Sequence, residues 1–68
     1  MRIRVFIQKT GETRIVELES NSRIIDLLKA LEISPSEVVP VKNGVIVTER
    51  EGLQENDEIK LLSVVSGG

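Results

Sequence analysis

The sequence predicts an α+β fold, a ββαββ roll in which one helix packs on one face of a mixed sheet. Three observations carry the prediction. Residues 2 to 8 and 13 to 19 alternate apolar and polar side chains on either side of a glycine-containing turn, which is the period of half-buried strands. Ile24, Leu27, Leu28 and Leu31 then fall at i, i+3, i+4 and i+7, the stripe of a helix with one buried face. Finally, Asn43-Gly44 marks a second hairpin, and an apolar run after Glu58 marks a last strand.

Taken in order, Ile3, Val5 and Ile7 occupy one phase of the first strand, and Arg2, Arg4, Phe6 and Gln8 the other. Lys9-Thr10-Gly11-Glu12 turns the chain, after which Val16 and Leu18 resume the core-facing phase. Ser22 suits the N-cap of a helix starting at Arg23. Asp26 near its start and Lys29 near its end match the helix dipole. Ser34-Pro35 is expected to close a helix of about ten residues, because proline disfavours helical backbone in the residue before it.

Residues 38 to 42 read as a short strand whose Pro40 should place it at an edge or a bulge. The chain returns through Val45-Ile46-Val47, and the charged Thr48-Glu49-Arg50-Glu51 leads to Gly52-Leu53. Glu55-Asn56-Asp57 makes a further turn before a final strand over 58 to 65, with Ile59 and Leu61 set toward the core. A helix linking two strand pairs lets the first and last strands lie side by side and parallel at the sheet centre. The second face of the sheet is then left without cover.

Sixty-eight residues make a single domain, 1–68, with 65–68 expected to form a flexible tail. A chain this short buries only about 60% of its unfolded surface, so its core must be compact. It has no cysteine and no histidine. Disulfides and thiol chemistry are thereby excluded, and the usual general base near neutral pH and the usual zinc ligands are missing. Neither enzymatic activity nor a metal or other cofactor is expected. An iron–sulfur protein would need four cysteines, which rules out that reading of a small mixed sheet.

Nine basic and eleven acidic residues, interspersed, leave a net charge of −2. That balance argues against nucleic-acid binding, which needs a cationic surface. Phe6 is the only aromatic residue, so there is no stacking platform for single strands. No stretch approaches a membrane span of about 18 apolar residues. The expectation is a cytoplasmic protein that is monomeric when free.

The candidate chemistry lies at the end, where Gly67-Gly68 follow Leu61-Leu62-Ser63-Val64-Val65-Ser66. Two residues without Cβ keep a tail thin and mobile. An enzyme can thread such a tail down a narrow channel and reach the terminal carboxylate. The competing reading is a frayed terminus with no role.

Gly52-Leu53-Gln54-Glu55-Asn56-Asp57-Glu58-Ile59, followed by Val64-Val65-Ser66-Gly67-Gly68, resembles the pattern of the ubiquitin-like β-grasp family. Within it, the likeness is to the small sulfur-carrier and modifier proteins, and Val41-Lys42-Asn43-Gly44 resembles the family's hairpin between helix and last strand. The resemblance spans the whole chain. Its members include the thiamine-synthesis sulfur carrier, the molybdopterin synthase small subunit, the ubiquitin-related modifier of tRNA thiolation and the small archaeal modifiers. The paired prolines usual near the end of the molybdopterin branch are replaced here by Ser63-Val64.

The resemblance implies that an E1-like enzyme adenylates the carboxylate of Gly68. Sulfur then displaces AMP to give a thiocarboxylate, or a lysine amine attacks and gives an isopeptide. The protein is the substrate of this acyl transfer rather than its catalyst. Val65, Ser66 and Gly67 are the extended segment that the activating enzyme grips. Further partners would be a sulfur-acceptor enzyme or lysine-bearing target proteins. The alternatives are a carrier dedicated to thiamine or molybdopterin synthesis, or a β-grasp interaction module that never uses its tail.

A second element is expected on the uncovered sheet face. Phe6, Ile15, Leu62 and Val64 group there as a docking patch, although singly exposed apolar residues need no function. Lys9, Lys29, Lys42 and Lys60 could each accept another copy, but solvated lysines are the commoner case. Glu49-Arg50-Glu51 reads as a solvated turn rather than a metal site.

Overall fold

The computed structural model describes residues 1–64. Its elements run β1 (Arg2–Ile7), β2 (Glu12–Glu17), α1 (Ile24–Ala30), a 3₁₀ turn (Pro35–Glu37), β3 (Val38–Lys42), β4 (Val45–Ile46) and β5 (Glu58–Ser63). The five strands form one sheet in the order β2-β1-β5-β3-β4. β1 and β5 run parallel at its centre, and the other pairs are antiparallel.

Strand period sets which residues meet the helix. Ile3, Val5 and Ile7 of β1 and Ile59 and Leu61 of β5 face α1 and are buried. The helix contributes Ile24, Leu27 and Leu28, while Leu31 packs against the edge of the same cluster. Seven side chains in this core are less than 2% exposed. At about 1.5–3 kcal/mol each, their burial far outweighs the two ion pairs found among the described residues, since such pairs contribute about 0–1 kcal/mol. Apolar packing therefore holds the fold.

The helix is shorter than its periodicity suggests, and both ends differ in detail. Arg23, not Ser22, is the N-cap. The Ser22 hydroxyl donates to the Glu19 carbonyl at 2.7 Å, while the Asp26 carboxylate accepts the Arg23 N–H at 2.8 Å. The first free helical N–H groups are met from afar, Ile24 donating to Glu51 O and Ile25 to Glu49 O, each at 2.9 Å. At the other end, α1 stops at Ala30, before Ser34-Pro35 is reached. Glu32 takes a left-handed conformation, φ 58°. Glu32 N–H then bonds Lys29 O, and Ile33 N–H bonds Leu28 O, which is the Schellman arrangement. Ser34 instead caps the following 3₁₀ turn.

Two strand ends also move, and one strand lies elsewhere in the sheet than expected. β2 ends at Glu17 and β5 at Ser63, each two residues short of the alternation in the sequence. Pro40 lies in β3 between two strands rather than at the sheet edge. It is accommodated because its carbonyl accepts from Val47 N–H at 3.0 Å, so its imide nitrogen faces the short outer strand. The ladder to β4 involves only Val41 and Lys42. The Asn43-Gly44 turn has positive φ at both residues, 50° and 86°, as a two-residue hairpin requires.

One buried carboxylate ties this hairpin to the turn before β5. Asp57 accepts from Asn43 Nδ2 at 3.0 Å and from Gln54 N–H at 2.8 Å. Asn43 Oδ1 in turn accepts from Glu58 N–H at 2.9 Å. Removing Asn43 leaves the buried Asp57 carboxylate short of a donor, and removing Asp57 takes the shared acceptor from Asn43 and Gln54; losing such charge-assisted bonds costs about 1–3 kcal/mol. Asp57→Ala and Asn43→Ala are each expected to destabilise by that amount in urea titrations. The double variant should be less destabilised than the sum, by about 0.5–3 kcal/mol.

Candidate functional site

The face of the sheet away from α1 is read directly from the strand register. One row crosses all five strands: Thr13 on β2, Phe6 on β1, Lys60 on β5, Val41 on β3 and Ile46 on β4. One pair further along, Leu62 lies opposite Val39. One pair back, Ile15 lies opposite Arg4, and Arg4 beside Glu58. Ile15, Phe6 and Leu62 thus form a diagonal stripe, with neighbours close enough for side chains to meet. Ile15 is 59% exposed, and Phe6 and Leu62 are half-buried.

Val64 lies beyond the end of β5 and is 47% exposed. The chain there is pinned by backbone bonding. Gln8 Oε1 accepts from Ser63 N–H at 2.8 Å, and Glu37 O accepts from Val64 N–H at 3.0 Å. β5 therefore carries both the open face and the lead into the carboxyl end. Val65, Ser66, Gly67 and Gly68 lie outside the described residues.

The structure adds Val39, Val41 and Ile46 to the apolar face, and Ile46 is 70% exposed. These were not singled out from the sequence. Val38-Val39-Pro40-Val41 is apolar in both strand phases, so alternation alone selects no face; pairing with β5 does.

The four lysines differ. Lys9, Lys29 and Lys60 are exposed. Lys42 Nζ sits 2.8 Å from Glu51 Oε2 and donates to Gly52 O at 3.0 Å. Its pKa is raised above the ordinary 10.5, chiefly by the hydrogen bond to Glu51; burial opposes this, and the charges of Glu51 and Asp57 add to it. The clamp fastens β3 to the same 49–52 segment that caps α1. Glu49-Arg50-Glu51 is in this sense more than a solvated turn. Among the described residues no group of three or more His, Cys, Asp or Glu is placed to hold a metal, and no helix is long and apolar enough to cross a membrane.

One helix across a mixed five-stranded sheet, with parallel central strands and a bare second face, defines the ubiquitin-like β-grasp fold. SAMP1 from Haloferax volcanii superposes with a TM-score of 0.78 over 100% of both chains at 19% identity. A Pyrococcus furiosus chain assigned as molybdopterin converting factor, subunit 1, gives 0.77 at 16% identity, covering 94% of this chain and 98% of that one. The sequence profile of the ThiS family matches residues 4–68, and the chain belongs to that family. Sulfur carrier protein TtuB from Thermus thermophilus is 32% identical over 62 residues, 91% of this chain and 95% of its own length.

Two predictions follow from the lysine geometry. Because the folded pKa of Lys42 is raised, the stability its ion pair adds is complete below pH 10.5 and lost as pH climbs through the higher folded value. The urea midpoint of the parent should fall more steeply above pH 10.5 than that of Lys42→Met. In limited acylation with an amine-reactive ester, peptide mapping should find Lys42 the slowest of the four lysines to react.

Proposed function

We propose that this chain is a sulfur carrier whose Gly68 carboxylate is the acyl group that becomes charged. The observation that carries the reading is the family match through residue 68, supported by the likeness to a sulfur carrier protein along almost the whole chain. A carboxylate is a poor electrophile and must first become a mixed anhydride. An E1-like enzyme supplies ATP; a carboxylate oxygen of Gly68 attacks the α-phosphorus, and pyrophosphate leaves. Hydrosulfide then attacks the acyl carbon, the bond to AMP breaks with AMP leaving on its oxygen, and the S–H proton is lost to solvent, so the sulfur stays on the acyl carbon as a thiocarboxylate.

Attack by a lysine amine at the same carbon expels AMP equally, loses a proton to solvent and leaves an isopeptide. This second outcome rests on the same acyl-adenylate. Both are acyl transfers in which this chain supplies the substrate.

In this reading, Phe6, Ile15, Leu62 and Val64 dock the activating enzyme, and Val65, Ser66 and Gly67 lie extended along its channel, held through backbone contacts. Val64 is pinned to the 3₁₀ turn through Glu37 O, and four residues span at most about 14 Å. The enzyme's adenylation site must therefore lie within that distance of the place where it receives Val64.

Incubation with ATP, a sulfur donor and the matching E1-like enzyme is expected to exchange one terminal oxygen for sulfur, read by intact mass. Deleting Gly68 should abolish the exchange; exchange at full rate in that variant would defeat the proposal. Phe6→Ala should raise the enzyme's KM for this chain about tenfold or more. If isopeptides form in cells, trypsin should leave residues 61–68 on the target lysine, because Lys60 is the nearest upstream cleavage point.

A further inference from the structure

The docking face has a cation at its centre. Lys60 stands between Phe6 on one side and Val41 on the other, with Leu62 and Val39 in the next row. The other cations of this face each have an opposite charge beside them in register. Arg4 Nη1 lies 3.7 Å from Glu58 Oε2, and Arg2 stands opposite Glu17 in register. Among the described residues, no carboxylate forms an ion pair with Lys60, and it is exposed.

In water a lysine so placed is tolerated, since a methylene stem can cover apolar neighbours while the ammonium stays hydrated. A partner surface that covers Phe6 and Val41 changes that balance. It strips water from the ammonium, and an unpaired charge in an apolar contact is strongly unfavourable. A covering surface must therefore bring its own anion to the middle of the patch. A second copy of this chain docked with a two-fold axis through the row cannot do so, because that axis sets Lys60 against Lys60. Like charges there oppose self-association through this face.

We infer that the activating enzyme presents an aspartate or glutamate, framed by apolar side chains, against Lys60, and that this pair sets the register of docking. The inference rests on the proposed function, in which the Phe6 face receives the enzyme. It specifies what that surface must look like: apolar, with one carboxylate near its centre. A charge pair at this place favours one alignment of the two surfaces over others of similar apolar area. That alignment decides where β5 aims the carboxyl end.

The test is the adenylation KM of the E1-like enzyme for the full chain, with pyrophosphate release as readout, at low and raised ionic strength. Lys60→Arg should behave as the parent. Lys60→Gln should raise KM about tenfold, and Lys60→Glu about a hundredfold, with KM less sensitive to salt in both. Replacing the facing enzyme carboxylate by lysine should restore the Lys60→Glu variant. Lys60 is exposed, so folding should survive, and circular dichroism checks it; Lys60→Gln keeps the test available should the charge reversal disturb β5. If Lys60→Glu and Lys60→Gln match the parent while Phe6→Ala is impaired, the inference is overturned and docking through this face stands. If all three match the parent, docking through this face falls, and the inference with it.

Discussion

The parallel pairing of β1 with β5 is the constraint on which the rest of the molecule depends. Their register sets Val5 beside Ile59 and Ile7 beside Leu61 beneath the helix. The same register sets Arg4 beside Glu58 and Phe6 beside Lys60 on the other side. Side chains alternate strictly along a strand, so one alignment decides both the core and the open face. A slip of one residue would drive Lys60 and Glu58 under α1 and leave Ile59 and Leu61 in water. The apolar core thus enforces the composition of the open face without contacting it.

A second layer of constraint holds the short helix. Seven residues are too few to be stable alone, so α1 depends on its surroundings. Its buried stripe supplies most of the attraction. The 49–52 segment supplies the rest, with the carbonyls of Glu49 and Glu51 accepting from the first turn and Lys42 gripping Glu51 and Gly52 from the sheet. The charged stretch between β4 and Leu53 is therefore a brace, and its acidic residues serve through backbone as much as through charge.

Much of this was legible from residue order. The alternations in β1 and β5, the helical stripe and the Asn43-Gly44 turn each point to the element that forms, and together they imply parallel central strands. What was not legible depends on contacts between distant segments. Ser22 looks like the better cap, but the helix starts at Arg23 because acceptors arrive from residues 49 and 51. Glu32 carries no sign of a left-handed conformation, since glycine is the usual occupant of that site. Pro40 argues for an edge, yet its nitrogen needs only to face the side where β4 has run out. Val39, Val41 and Ile46 join the open face only once pairing with β5 is known. Phe6, Ile15 and Leu62 are thus a subset of the apolar residues on that face, the ones found where alternation is clean.

The distribution of lysines follows from the same geometry and bears on chemistry at the tail. Lys42 is committed to the brace, and its ammonium is held charged by Glu51; a protonated amine is no nucleophile. Lys60 occupies the centre of the open face, so acylation there would both remove its charge and obstruct the surface through which the carrier is proposed to be activated. Lys9, in the β1–β2 turn, and Lys29, on the outer side of α1, are exposed and off that face. If copies are joined through isopeptides, only attachment at Lys9 or Lys29 leaves the acceptor able to dock again. Chain growth and repeated activation are then compatible at two lysines and mutually exclusive at Lys60, because the strand that presents Lys60 is the one that leads to the acyl group.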